Sequence, residues 1–171
     1  MRDPAPVVDE ATLPDASHGG TPVRFRAGSH GLLLVFFGYT LCPDVCPTTM
    51  ADLRIAFGGL PAAERRDVQL AMITVDPRRD TPSVLTHYVH VFFPRGLALR
   101  TAEPKLLARV AKTFGAAYRV TTEKDGTVDV VHTPFVYAVD DTGRLRMQWP
   151  SGTPPVAYRK DIRLLLEGSQ P

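Results

Sequence analysis

LLLVFFGYTLCPDVCPTTM, residues 32–50, joins an apolar run to the two cysteines of the chain. Residues 32–37 are apolar without alternation, the pattern of a strand covered on both faces. Gly38 to Leu41 read as a loop. Cys42 and Cys46 follow, each with a proline behind it, and a helix is predicted over about 47–57, stopped by Gly58-Gly59. The sulfurs therefore sit between the carboxyl end of a central strand and the start of a helix. Open α/β sheets usually place their ligands there.

Working outward, the same alternation of apolar strands and helices continues. VQLAMITV, 68–75, is a second central strand ended by Asp76-Pro77. Thr81-Pro82 is an N-cap and first-turn pair for a helix reaching 92. LALR at 97–100 is a short strand, and 101–114 a helix closed by Gly115. TTEKDGTVDVVH, 121–132, reads as an exposed hairpin loop around Asp125-Gly126. TPFVYAVD and residues 145–149 make an antiparallel pair, and 156–166 a last helix. Toward the amino terminus, residues 23–25 form a short strand, and 1–21 read as a flexible arm ahead of a single domain over 22–171. This order specifies an α/β fold, a central mixed sheet flanked by helices. The thioredoxin fold fits it by analogy.

The chain has 171 residues, 44% hydrophobic and 22% charged, with a net charge of +2 and a pI near 8.7. Such a weak surplus, with no Lys/Arg cluster interleaved with aromatics, argues against nucleic acid. Apolar runs are all far shorter than a membrane span. The first residues lack the basic and apolar regions of a secretory signal. No long apolar helix face is left over, so a monomer is expected.

What can two cysteines four apart do? They could be buried small hydrophobes, but a proline-punctuated loop is a poor core filler. Backbone N–H groups at a helix start favour thiolate over thiol, which serves metal binding and thiol exchange alike. Three intervening residues give a wider bite than the usual two-residue dithiol spacing. Thiolates select Cu(I), zinc or iron–sulfur clusters. Two cysteines cannot hold a conventional cluster, and structural zinc wants four ligands. Copper(I) accepts two or three soft ligands, so one histidine would complete the set.

Five histidines compete. His18 and His30 read as solvated. His87 and His90 lie one turn apart on a helix and read as surface or partly packed residues, with a second metal site as the weaker alternative. His132 precedes a strand, and its local sequence suits a hydrogen-bonded strand-edge residue best. In a thioredoxin-like fold, however, the loop before this strand packs against the cysteine loop, and Pro134 falls near the cis-proline of that fold.

FFGYTLCPDVCPTTM, then ITVDPRRDTP at 73–82, then VDVVHTPFVYAVDDTG at 128–143 resemble the Sco/SenC family. These thioredoxin-like proteins deliver copper and handle thiols during assembly of the dinuclear copper centre of cytochrome c oxidase. The resemblance implies that Cys42, Cys46 and His132 bind one copper. It implies as partners the copper-binding oxidase subunit and an upstream copper donor. It also implies a membrane tether, absent from this chain, and a periplasmic or extracytoplasmic setting. Two activities follow: copper delivery, or reduction of the partner's copper-ligand cysteines by the Cys42/Cys46 pair. Asp44 is expected to cap the helix or to offer oxygen to oxidised copper, and Asp76 with Pro77 to shape the bordering loop. Arg78, Arg79 and Asp80 are expected as surface charge or a docking rim, and Phe37 and Tyr39 as a shield beneath the site.

Overall fold

The computed structural model describes residues 5–126 and 128–168. Nine strands and five α-helices follow one another in the order β1 (Thr12–Asp15), β2 (Thr21–Arg24), β3 (Leu32–Gly38), α1 (Val45–Gly58), α2 (Ala62–Arg66), β4 (Val68–Thr74), α3 (Pro82–Phe92), β5 (Leu97–Leu99), α4 (Pro104–Phe114), β6 (Tyr118–Thr122), β7 (Val128–His132), β8 (Phe135–Val139), β9 (Leu145–Pro150) and α5 (Pro155–Glu167).

Seven strands form one mixed sheet in the order β2-β1-β5-β4-β3-β8-β9. Strands β3, β4 and β5 are parallel, in register Leu32 to Val68 and Ala71 to Leu97. Strand β8 runs antiparallel to β3, and β9 to β8. The predicted thioredoxin-like arrangement is present, with β3 covered on both faces as its unbroken apolar run requires.

Successive side chains of a strand point to opposite faces, so β3 divides the core in two. Leu32, Leu34 and Phe36 join Met50, Leu53, Leu85, Tyr158 and Ile162, beneath α1, α3 and α5. Leu33, Val35 and Phe37 join Phe25, Leu107, Val110 and Phe114, beneath α4. Gly115 ends α4 at φ 69°, the left-handed conformation that favours glycine after a helix.

Two expectations change. The segment expected as a flexible arm contains β1, which pairs with β2 along its whole length and touches β5 at Asp15–Leu99. Val8 and Leu13 are fully buried. The buried Asp15 carboxylate explains part of this: it accepts from the Ala98 N–H at 3.0 Å and ties β1 to the sheet. Residues 1–4 of the expected arm lie outside the described residues. The loop expected at 121–132 is a two-stranded ribbon, β6 with β7, apart from the main sheet. Its Val128, Val130 and His132 alternate with exposed residues, a period-two pattern that fits a half-covered strand.

Candidate metal centre

Strand β3 ends at Gly38, and the chain crosses to α1 through Tyr39–Asp44. The helix begins at Val45, two residues earlier than predicted, so Cys46 lies in its first turn. Cys46 is fully buried, whereas Cys42 in the approach loop is half-buried. A β-carbon at position 38 would stand 3.1 Å from the Cys46 sulfur and 2.7 Å from the Phe36 ring. Glycine is needed there because the sulfur packs directly on the backbone.

Asp44 precedes α1, but its carboxylate caps no backbone N–H. Its Oδ1 accepts from the Thr48 hydroxyl at 3.3 Å instead. The sulfur of Cys42 takes the capping place and accepts from the Cys46 N–H at 3.3 Å. Burial works against charge on Cys42. Hydrogen bonds from the Cys46 and Asp44 backbone, the Cys46 thiol and the Tyr39 hydroxyl outweigh it, and the thiol lies below its ordinary range. For Cys46, burial dominates and pushes the thiol up. Burial and the neighbouring Cys42 thiolate push the Tyr39 phenol up to about 12, so it stays a donor.

His132 closes β7 opposite Tyr118. The next residue locks it in place: the Thr133 N–H donates to the Ala117 carbonyl at 2.7 Å, and the Thr133 hydroxyl accepts from the Ala117 N–H at 2.9 Å. The imidazole Nε2 then stands 3.6 Å from the Cys46 sulfur, although 86 residues separate the two. Nδ1 lies 3.3 Å from the Thr133 carbonyl, an acceptor only, so Nδ1 carries the proton and Nε2 presents its lone pair to the sulfur. Burial lowers the imidazole pKa and keeps the ring neutral. Tyr39 and Phe36 meet the ring edge-on at centroid distances of 6.0 and 6.1 Å.

The structure thus brings Cys46 and His132 into contact and leaves Cys42 half-buried, its sulfur on the N–H of Cys46. Among the described residues no three His, Cys, Asp or Glu side chains are gathered close enough to hold a metal as they stand. The donor chemistry fits a soft ion: two sulfurs and a neutral imidazole nitrogen. A three-donor set would add the half-buried Cys42 sulfur to the Cys46 and His132 pair.

Several expectations are corrected. Phe37 points to the opposite face of the sheet, against Phe114 and Tyr137, so Phe36 shields the site with Tyr39. A wholly apolar strand gives no alternation from which to choose between them. Asp80 is not surface charge but fully buried. It accepts from the Thr40 N–H, from the Thr40 hydroxyl at 2.6 Å and from the Thr74 hydroxyl at 2.5 Å. Asp76 pairs with Arg79, and Arg100 donates to the carbonyls of Asp80 and Pro77. The VDPRRDT stretch therefore fastens the cysteine loop to the end of β4. Thr40 carried no sequence signal beyond its place in FFGYTLCPDVCP, nor Thr74 and Asp80 beyond theirs in ITVDPRRDTP. His87 is exposed, and Nε2 of His90 lies 3.2 Å from the Gly96 carbonyl. His18 binds the Asp15 carboxylate.

The SCO1/SenC family profile matches residues 16–167. Apo Sco1 from Thermus thermophilus is 34% identical, with a TM-score of 0.79 over 94% of this chain and 91% of that one. Copper-bound ScoI from Bradyrhizobium japonicum is 29% identical, with a TM-score of 0.76 over 91% of this chain and 96% of that one. A SCO2-like protein of Rickettsia prowazekii is 36% identical over 115 residues, 66% of this chain and 55% of its own length. The chain spans about half the length of the curated relatives it matches. No helix among the described residues is long and apolar enough to cross a membrane. With the matched region running through the cysteine loop, the VDPRRDTP turn and the His132 strand, the chain belongs to the SCO1/SenC family.

Proposed function

We propose that Cys42, Cys46 and His132 bind one copper ion, which the protein delivers to the copper-binding subunit of cytochrome c oxidase after loading from an upstream donor. The observation that carries this reading is the 3.6 Å approach of the His132 Nε2 lone pair to the buried Cys46 sulfur, beside the half-buried Cys42 thiol. Copper is the cargo. Both sulfurs bind it as thiolates, so loading releases protons. The metal offsets the cost of ionising Cys46 in a buried site. The Thr133 carbonyl orients the imidazole through Nδ1. Cys42 is the more accessible of the two sulfurs and the first to be exchanged for a ligand of the receiving subunit. Such transfer belongs at the extracytoplasmic face of a membrane, with the protein acting as a monomer.

Anaerobic titration of the reduced protein with Cu(I), followed by oxidation of the metal, tests this. One copper per chain with sulfur-to-copper charge-transfer bands is expected. His132→Ala should weaken copper(II) binding by more than about 100-fold, beyond the 10–100-fold of a lost supporting contact. It should leave the Cys42–Cys46 disulfide able to form. Unchanged copper affinity in that variant would overturn the assignment.

A second reading, thiol–disulfide reduction of the partner's copper-ligand cysteines, is favoured by the asymmetry of the two thiols. The Cys42 thiolate attacks the partner disulfide and one partner sulfur leaves with the electron pair. Cys46 then loses its proton and displaces the second partner sulfur from Cys42. The products are a Cys42–Cys46 disulfide and a partner dithiol. Full reductase activity with either cysteine replaced would exclude this exchange.

A further inference from the structure

The other end of the sheet carries a feature that the copper chemistry does not use. A cleft of about 720 Å³ opens there between the end of α1, the helix α2 and the turn after α3. It reaches Leu32 and Val68, the first residues of β3 and β4, whereas the cysteine loop leaves the far end of β3. At about 3.3 Å per residue, a seven-residue strand puts roughly 20 Å between the two. Both can therefore be occupied at once. A volume of this size is within the range of small-molecule sites.

The lining combines two chemistries. Its floor is apolar, with the Phe57 and Phe93 rings edge to face at 5.0 Å. Its rim carries Arg54, Arg65, Arg66 and Arg95, against Asp67 as the one carboxylate. This surplus of three positive charges exceeds the +2 of the whole chain. The rest of the surface does not share it. Among the described residues, Arg65, Arg66 and Arg95 form no ion pair. Arg54 reaches only the Val91 carbonyl, at 3.4 Å. Glu64, on the same short helix as Arg65 and Arg66, is turned away to Arg163 at 3.0 Å. Four exposed guanidinium groups lining one cleft give it a positive potential that favours an anion. Their planar forks match phosphate oxygens two at a time.

We propose that this cleft is a second binding site, for a phosphate group borne on an apolar body. The guanidinium rim takes the phosphate and the aromatic floor takes the apolar part. Two sources share that chemistry, an anionic phospholipid and a soluble phosphate ester.

The full chain is titrated with inorganic phosphate, phenyl phosphate and short-chain phosphatidylglycerol. It is also sedimented with vesicles of phosphatidylglycerol and of phosphatidylcholine. The variant is the triple Arg65→Ser, Arg66→Ser, Arg95→Ser. A charge-matched control carries Lys105→Ser, Arg109→Ser and Arg119→Ser, at exposed positions on other elements. Every changed position is exposed, and equal thermal midpoints verify folding. Saturable binding of the organic phosphates is expected, weakened at least tenfold in the cleft variant and unchanged in the control. Cosedimentation with phosphatidylglycerol vesicles but not phosphatidylcholine assigns the lipid source. Binding of phenyl phosphate without vesicle binding assigns a soluble ester. Equal losses in the two variants, or no binding of any probe, would overturn the proposal.

Discussion

Cys42 and Cys46 each have an apolar residue before them and a proline behind, yet opposite surroundings in the fold. Cys42 is half-exposed, with its sulfur on the helix N–H groups, and Cys46 is wholly buried. Limited alkylation of the reduced protein at pH 7, mapped by mass spectrometry, should label Cys42 at least tenfold faster than Cys46. Because the Cys42 thiol lies below its ordinary range, its labelling should persist as pH falls past the point where an ordinary thiol stops reacting. Equal labelling would contradict the asymmetry on which both readings of the site draw. Gly38 gives a second prediction at this scale. Gly38→Ala puts a methyl group against the Cys46 sulfur and the Phe36 ring, and should cost about 1–3 kcal/mol in a urea titration. The pair of cysteines was legible in the sequence, but their inequality was not. It depends on where α1 begins, and here the Cys42 sulfur takes the capping place at the start of the helix.

The elements around the site are joined by one buried carboxylate. Asp80, after β4, holds Thr40 in the cysteine loop and Thr74 at the end of its own strand. Asp80→Ala removes the acceptor and leaves the buried Thr74 hydroxyl and the half-buried Thr40 donors without it, at a cost of about 1–3 kcal/mol. The same change should also weaken copper binding, since the loop carrying Cys42 loses its tether. Stability and copper titrations on one sample measure both, and a loss of stability with copper affinity unchanged would separate the network from the site. The VDPRRDTP motif was visible as a resemblance, with Arg78, Arg79 and Asp80 expected as surface charge or a docking rim. Three charged residues in a row read as solvated. Only the packing of the β4–α3 turn against the cysteine loop shows that Asp80 faces inward while Arg78 faces out. His132 is similar. The ribbon β6–β7 swings it onto Cys46, and nothing in its local sequence distinguishes it from a strand-edge histidine.

At the scale of the whole molecule, the first two strands belong to the sheet. Removing residues 1–21 takes away Val8 and Leu13, both fully buried, and uncovers the edge of β5. At about 1.5–3 kcal/mol for each buried side chain, the shortened chain should lose at least about 3 kcal/mol. Equal urea midpoints for the two chains would show the strand to be dispensable. Acid stability tests a second tie, in the turn that joins β8 to β9. Burial acts to raise the Asp140 carboxyl, but hydrogen bonds from Thr142 and Arg144 and the Arg146 guanidinium outweigh it and hold it below the usual range. The unfolded chain therefore takes up this proton at higher pH than the folded one. The contribution is complete above about pH 4 and is lost as pH falls below it. Thermal midpoints should drop through that window, and Asp140→Asn should flatten the drop while lowering stability at neutral pH. The sequence by itself determined the α/β order, the doubly covered central strand and the position of the sulfurs at its carboxyl end. Those follow from apolar patterning and from proline and glycine punctuation, which act over a few residues. Only the tertiary structure decided which face of β3 meets the cysteines, that β1 joins the sheet, and that His132 reaches Cys46. Each of these is a contact between segments distant along the chain, fixed by packing and buried hydrogen bonds.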